Sequence, residues 1–156
     1  MSVQLRPMRD EEFEAWLPLM RSRYAEDMVS QAGMSPDRAT VRAEAEIEGL
    51  FPGGQPSPAQ LVYVIEAEGE PVGDLWLAER DDSPEQSLYI FDITVDEAYR
   101  GRGYGKAAML LAEEEARRRG LPSVALNVFG GNTIARRLYQ SLGYEERAIA
   151  MSKAIS

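Results

Sequence analysis

The stretch that most restricts the fold is Leu88 to Lys106, LYIFDITVDEAYRGRGYGK: an apolar strand-like run, a short acidic connector and a basic, glycine-rich turn. Gly101, Gly103 and Gly105 lack Cβ atoms and reach torsions closed to other residues, so several N–H groups can converge on one anion. A helix starting at about Gly105 would aim its free N–H groups and the positive end of its dipole at the same point. A diphosphate-bearing ligand suits such a turn.

Two nucleotide-binding patterns can be weighed on spacing alone. A Walker-type loop needs Gly-Lys followed by Ser or Thr for magnesium, whereas Lys106 is followed by Ala107 and Ala108. A dinucleotide fingerprint is formally met by Gly103-x-Gly105-x-x-Ala108, but its turn should follow the strand at once and an acidic residue should end the next strand. Here Asp96 to Tyr99 intervene, and the next strand ends in Asn127, Val128 and Phe129.

A third pattern fits better. Arg100-x-x-Gly103-x-Gly105, behind a strand ending Ile93-Thr94-Val95, resembles the acyl-CoA pyrophosphate loop of the GNAT superfamily of N-acetyltransferases. Asn132-x-x-Ala135-x-x-x-Tyr139-x-x-x-Gly143-Tyr144 is similar to the same family's later motif and stands at the expected distance. The resemblance covers roughly residues 60 to 153; residues 9 to 59 match only in being helical.

Composition narrows the chemistry further. A chain of 156 residues is the size of one domain and can bury a sizeable core, so residues 1–156 are expected to form a single folding unit, which the resemblance implies is an N-acetyltransferase domain. No apolar run approaches the roughly 20 residues of a membrane span, and the N-terminal stretch lacks a signal peptide's apolar run. A cytoplasmic protein with no membrane partner is expected. With 17 Lys plus Arg against 26 Asp plus Glu, the net charge of -9 disfavours nucleic acid and attracts cationic acceptors. The sequence holds no cysteine and no histidine, which excludes disulfides, a cysteine nucleophile, a Ser-His-Asp triad and the commonest zinc sites. No metal is expected, and acid–base work falls to Asp, Glu, Tyr, Lys, the terminal amine or water.

Along the chain, Val3 to Arg6 alternates as a strand that Pro7 ends. Asp10 is placed to cap a helix carrying Phe13, Trp16, Leu17, Met20, Tyr24 and Met28 on one face, with Pro18 expected to kink or split it and Gly33 to close it. Ser35 and Pro36 open a second helix to about Leu50, with Ala39, Ala43, Ile47 and Leu50 inward. Pro52 to Ala59 reads as an exposed, mobile loop, either connector or lid. Leu61 to Ala67 and Val72 to Ala78 form a hairpin, and Asp81 to Glu85 turns into the strand Leu88 to Val95. There follow a helix over Gly105 to Arg119 with Ala108, Leu111, Ala112, Glu115 and Ala116 near one face, a buried strand Val124 to Val128 and a helix from Asn132 through Leu142. Tyr144 to Lys153 gives one closing strand or two very short ones.

This order is α/β. The resemblance implies a single-domain GNAT-like fold, a mixed central sheet of six or seven strands with about four flanking helices. In that fold the strands Leu88–Val95 and Val124–Val128 run parallel and splay apart to admit the pantetheine arm, and the two early helices cover the acceptor side. Only thirteen residues follow Gly143, so that side is either open or completed by a partner subunit; a homodimer is the family habit.

The resemblance also implies a reaction: transfer of an acetyl group from acetyl-CoA to a primary amine by direct attack in a ternary complex, without a covalent enzyme intermediate. The backbone of Arg102, Gly103, Tyr104, Gly105 and Lys106 would take the pyrophosphate, with Arg100 supporting the loop; alone, Arg100 would read as a solvated charge. Arg102, Lys106, Arg136 and Arg137 are candidates for the CoA 3'-phosphate, though adjacent arginines on a helix cannot both face one ligand. Backbone groups of Ile93 and Val95 would pair with the pantetheine amides, and the Val95 N–H would hold the thioester oxyanion, an effect of a kind worth about 3 kcal/mol. Asn132 matches a residue that bonds the cofactor arm and would equally serve as a helix cap.

Tyr139 matches a position that protonates the departing thiolate; its rival reading is a core tyrosine. Asp92, mid-strand between Phe91 and Ile93, is costly to bury as a carboxylate unless paired or given a task, and burial would raise its pKa towards a base's useful range. General base, amine anchor and structural hydrogen bond all stand open for it, with Glu66, Asp74 and Tyr89 in reserve. The expected acceptor is a small-molecule or peptide amine, cationic in character. The alternative is a non-enzymatic acyl-CoA-binding sensor module that keeps the pocket without turnover.

Overall fold

A computed structural model describes residues 2–81 and 85–156. Strand β1 (Val3–Pro7) leads to helices α1 (Asp10–Ala32) and α2 (Pro36–Leu50), then to strands β2 (Leu61–Ala67), β3 (Glu70–Arg80) and β4 (Ser87–Val95). Helix α3 (Tyr104–Arg118), strand β5 (Val124–Leu126) and helix α4 (Thr133–Ser141) complete the order. The sheet runs β1-β2-β3-β4-β5, antiparallel through β4 and parallel between β4 and β5. Glu68 and Gly69 join β2 to β3 with positive φ at both positions, the two-residue turn whose twist suits a hairpin. Of the turn expected over Asp81–Glu85, residues 82–84 lie outside the described residues.

Helix α1 differs from its sequence reading in two ways. Its cap is Arg9, whose N–H donates to the Glu12 carboxylate at 2.9 Å, and Asp10 belongs to the acidic first turn instead. Pro18 does not split it, and the helix runs through. An interior proline costs about 3 kcal/mol. Against that, α1 buries Phe13, Trp16, Leu17, Met20 and Met28, each worth roughly 1.5–3 kcal/mol, so packing on the opposite side outweighs the break. Gly33 closes α1 with φ of 71°, and the Ser35 side chain caps α2 by accepting the Arg38 N–H.

The helices cover the two faces of the sheet differently. On one face α1 and the end of α2 bring Phe13, Trp16 and Phe51 onto Trp76 and Phe91; Trp76 stacks on Phe91 at 4.4 Å and meets Trp16 edge-on at 5.7 Å. On the other, Leu75, Leu77, Leu88 and Ile90 meet α3, whose Ala108, Ala112 and Ala116 recur every turn. Side chains this small let the helix lie close to the sheet. Met109 is buried there in the place expected for Leu111.

The largest departure is at the C-terminus. Tyr144 to Lys153 forms no strand among the described residues, and the sheet has five strands where six or seven were expected. Strand β5 stops at Leu126, two residues short of the expected Val128. A segment becomes a strand only where an edge accepts it, and three residues of β5 offer few ladder bonds. Ile149, Met151 and Ile155 are left 72, 91 and 86% exposed. Among the described residues no helix is long and apolar enough to cross a membrane.

Candidate active site

The short β5 opens the sheet beside β4. The two strands pair only at Leu88, Tyr89 and Ile90, so Phe91 to Val95 runs on without a neighbour on that side. At the same point β4 carries a bulge: opposite β3 the register steps from Trp76–Asp92 to Leu77–Ile90, leaving Phe91 extra. Residues directly opposite each other share a face, so Ile90 and Ile93 join the α3 core while Asp92 and Thr94 turn to the α1 face. Without the bulge, Asp92 would share the face of Ile90.

The backbone of this free segment points outward. The Asp96 N–H donates to Val72 O at 2.8 Å, towards β3. Hydrogen-bonding direction alternates along an antiparallel strand, so Ile93 and Val95 direct their groups to the opposite, open side. On that side the Val95 carbonyl already accepts Arg100 Nε at 2.9 Å. Arg100 thereby ties the glycine turn to the end of β4, and the Val95 N–H is left for other use. β3 reaches this end of β4 only because Gly73 is glycine; a Cβ there would stand 2.1 Å from Thr94 O. The sequence analysis passed over Gly73, although an isolated glycine inside a strand is a signal of close backbone approach.

In the turn itself the positive torsions belong to Gly101 and Gly103, with φ of 77 and 84°. Gly105 lies inside α3, one residue later than the helix start at Tyr104. Its missing Cβ faces Val95 Cγ2 and Leu138 Cδ2 at 3.8 and 3.9 Å, so a bulky side chain would press β4 and α4 apart. Gly103 caps α3 without a side chain, and the helical ladder opens with the Ala107 N–H donating to Gly103 O at 3.0 Å. The N–H groups of Tyr104, Gly105 and Lys106 stand ahead of that first bond, at the positive end of the dipole. The side chains of Arg102 and Lys106 are exposed beside them.

Behind β4, three elements bring charges together. Asp74 of β3 accepts Trp16 Nε1 at 3.1 Å and Arg23 Nη2 at 3.3 Å, both from α1. Asp92 accepts the Thr94 hydroxyl at 2.9 Å and lies 3.7 Å from the same Arg23 nitrogen. Burial pushes Asp92 up to about 7; the Arg23 charge opposes the shift, the Asp74 charge adds to it, and the Thr94 hydrogen bond opposes it. Asp74 is also raised, by burial first, with Arg23 and Trp16 countering. The mid-strand carboxylate singled out by sequence therefore sits where its proton affinity is near neutrality. Arg23 was not anticipated, because one arginine in a charged helix carries no local signal.

Tyr139 of α4 packs with the α3-side core and edge-on to Tyr144 at 6.1 Å, as a core tyrosine would. Its hydroxyl nevertheless makes no hydrogen bond among the described residues. Burial, and then the Asp92 charge, hold its pKa above the ordinary phenol value, so it keeps its proton near neutrality. Asn132 caps α4 through its side-chain oxygen, which accepts the Ala135 N–H at 3.2 Å; its amide donors are not used in that bond. Arg136 is occupied: it donates to Gly130 O at 3.0 Å and pairs with Glu146, which leaves Arg102, Lys106 and the exposed Arg137 as the freer cations.

Of the reserves, Glu66 is bound by Arg6 and Gln4 and held below the usual carboxylate range, unsuited to take a proton near neutrality. Tyr89 lies under the Arg80 guanidinium at 3.9 Å and edge-on to Phe91. Asp74 joins Asp92 through their shared Arg23 nitrogen. No cluster of three or more acidic side chains among the described residues is arranged to hold a metal.

Known proteins share this fold. The model of the Acetyltransferase (GNAT) family matches residues 10–144. YycN of Bacillus subtilis, described as an uncharacterized N-acetyltransferase, is 33% identical over 156 residues, 99% of this chain and 100% of that protein. Its crystal structure superposes with a TM-score of 0.90. YdgE of the same organism, described in the same terms, is 30% identical over 99% of both chains. A Pyrococcus furiosus protein of inferred acetyl transferase function superposes with a TM-score of 0.74 at 29% identity, over 99% of this chain and 100% of that one.

Proposed function

Since the chain belongs to the GNAT family of acetyltransferases, which take their acetyl group from acetyl-CoA, we propose that it acetylates the primary amine of a small-molecule or peptide acceptor that is cationic when free. The observation that carries this reading is the unpaired end of β4, which leads from the positive-φ glycine turn at one end to the raised carboxylate of Asp92. The turn and the first N–H groups of α3 would hold the pyrophosphate, with Arg102 and Lys106 near the 3'-phosphate. The edge of Ile93 and Val95 would take the pantetheine amides as an added strand, and the Asn132 amide would reach the arm while its oxygen caps α4.

In the reaction Asp92 accepts a proton from the acceptor ammonium or from the attacking amine, so that the nitrogen lone pair can bond to the thioester carbon. The Val95 N–H donates to the carbonyl oxygen as negative charge gathers there. When the C–S bond breaks, Tyr139 gives its proton to the sulfur and CoA leaves as a thiol; Asp92 then releases its proton to solvent and Tyr139 recovers one from it. The products are an N-acetylated amine and free CoA. A homodimer would cover the exposed apolar side chains of the C-terminal run.

The test is thermal unfolding with acetyl-CoA, CoA, NAD or ATP in excess. A ligand at about 100 times its Kd adds roughly 2.7 kcal/mol and raises Tm by several degrees. A shift with CoA species alone supports the reading; no shift with them removes it. Thiol release is then followed over a panel of amines that includes 1,3-diaminopropane, with no cysteine in the protein to contribute background. Tyr139→Phe should lower kcat by about 10²-fold while acetyl-CoA affinity stays within about twofold. Equal turnover takes Tyr139 out of the mechanism.

A further inference from the structure

Arg23 has no part in the steps above, yet it is the cation that links the carboxylate they use, Asp92, to Asp74. It leaves α1 seven residues after Trp16, on the same face two turns on. Trp16 Nε1 and Arg23 Nη2 donate to one oxygen of Asp74, Oδ1, at 3.1 and 3.3 Å. The same Nη2 lies 3.7 Å from Oδ2 of Asp92, the oxygen that also accepts the Thr94 hydroxyl. One nitrogen thus stands between carboxylates of adjacent strands, and Oδ1 of Asp92 takes part in none of these contacts. Arg23 Nε is buried without a hydrogen-bond partner among the described residues. The guanidinium therefore sits where the two carboxylates draw it, with part of its own donor capacity unmet.

Resting on the reading of Asp92 as the base, we propose that Arg23 is a positioning residue for the transfer. Its Nη2, shared between Asp74 and Asp92, apportions one positive charge over the two carboxylates and leaves Asp92 Oδ1 free to meet the acceptor amine. Among the described residues, the titratable groups that bear on Asp92 are Arg23 and Asp27 from α1, Asp74 from β3 and Tyr139 from α4, beside the Thr94 hydroxyl. Of these only Arg23 is a cation. Removing its charge favours protonated Asp92, whereas removing the charge of Asp74 favours the carboxylate. The two changes must move the ionisation of Asp92 in opposite directions, which disturbed packing alone would not do.

The experiment compares the wild type with Arg23→Gln, Arg23→Lys, Asp74→Asn and Asp92→Asn. Two readouts are taken: the carboxyl-carbon NMR titration of Asp92, which needs no turnover, and the pH profile of kcat/KM with acetyl-CoA and 1,3-diaminopropane. In both, Arg23→Gln is expected to move the Asp92 titration and the acid limb up by about one pH unit, a tenfold loss of rate below the limb. Asp74→Asn is expected to move both down, and Arg23→Lys to restore most of the wild-type position. Shifts of the same sign in Arg23→Gln and Asp74→Asn, or none, overturn the inference while the base reading survives, provided Asp92→Asn abolishes the acid limb. An acid limb that persists in Asp92→Asn overturns the base reading and this inference with it. Should Arg23→Gln fail to fold, Asp74→Asn decides alone, a downward shift supporting the proposal and any other result ending it.

Discussion

The glycine turn ahead of α3 and the carboxylate cluster behind β4 serve the same strand, but they are made of different material. The turn is backbone: Arg100 to Lys106 are contiguous, and its geometry follows from two glycines at φ of 77 and 84° and one arginine bonded to Val95 O. The cluster is side chains: Arg23 comes from α1, Asp74 from β3 and Asp92 from β4, up to 69 residues apart in the sequence, and the phase of Asp92 depends on a bulge. A site of the first kind can be disturbed by a single Cβ yet has little to titrate. A site of the second kind tolerates backbone change poorly to the extent that the sheet does, and its activity is set by charge.

The sharpest way to break this contrast is Asp92→Asn, which should reduce kcat/KM by about 10²–10⁴-fold, with acetyl-CoA binding unchanged. The same change tests the energetic cost of the site. Asp92 titrates at about 7 in the fold against an ordinary value of 3.8, so between those values the folded protein binds more protons than the unfolded chain. Stability therefore falls as pH rises through that window, and the penalty is complete above it. Asn carries no such penalty. Relative to wild type, Asp92→Asn should gain on the order of 4 kcal/mol between about pH 4 and pH 8, read by urea unfolding at both ends. A parallel pH dependence in the two proteins would mean that Asp92 is not held up by burial.

The contrast also explains what could be read from the sequence. The turn, its arginine strut, the ends of β2 and the course of α2 are set by nearby residues, and the expected segments agree with the observed ones to within a residue or two. Asp92 was legible as a misfit, a carboxylate in an apolar strand. Its partner Arg23 was not, since nothing within α1 distinguishes Arg23 from Arg21. The bulge at Phe91 was hidden for a related reason: it is a property of two strands in register, and the β4 sequence alternates plausibly with or without it. The C-terminal run shows the reverse error, an expected strand whose pairing depends on an edge that the short β5 does not supply.

A smaller effect is expected from the backbone side. Gly103→Val puts a β-branched side chain at φ of 84°, costing about 1–2 kcal/mol of stability, and fills the approach to the first N–H groups of α3. The KM for acetyl-CoA should rise about tenfold or more, equivalent to about 1.4 kcal/mol of lost binding, while the acid limb of the pH profile stays in place. Gly105→Ala should cost much less, because Gly105 has no positive φ and its Cβ would meet its neighbours at ordinary contact distance. A pH profile that moved in Gly103→Val would show that the turn and the carboxylates are coupled and that the division drawn between them is too clean.

The smallest effect separates cations that resemble one another in sequence. Arg102, Lys106 and Arg136 were all candidates for the CoA 3'-phosphate, but Arg136 already donates to Gly130 O and pairs with Glu146, and to reach a ligand it would have to give up both. Arg102 and Lys106 flank the start of α3 with exposed side chains. Arg136→Ala should therefore change the KM for acetyl-CoA by no more than about twofold, within the range of a lost surface ion pair. Arg102→Ala and Lys106→Ala should each raise it several-fold at low ionic strength, by an amount that shrinks as salt is added. If Arg136→Ala gave the larger, salt-sensitive rise, its pairing with Glu146 would be a resting state that the ligand displaces. The α4 end of the cleft would then take part in cofactor binding through a side chain as well as through the cap at Asn132.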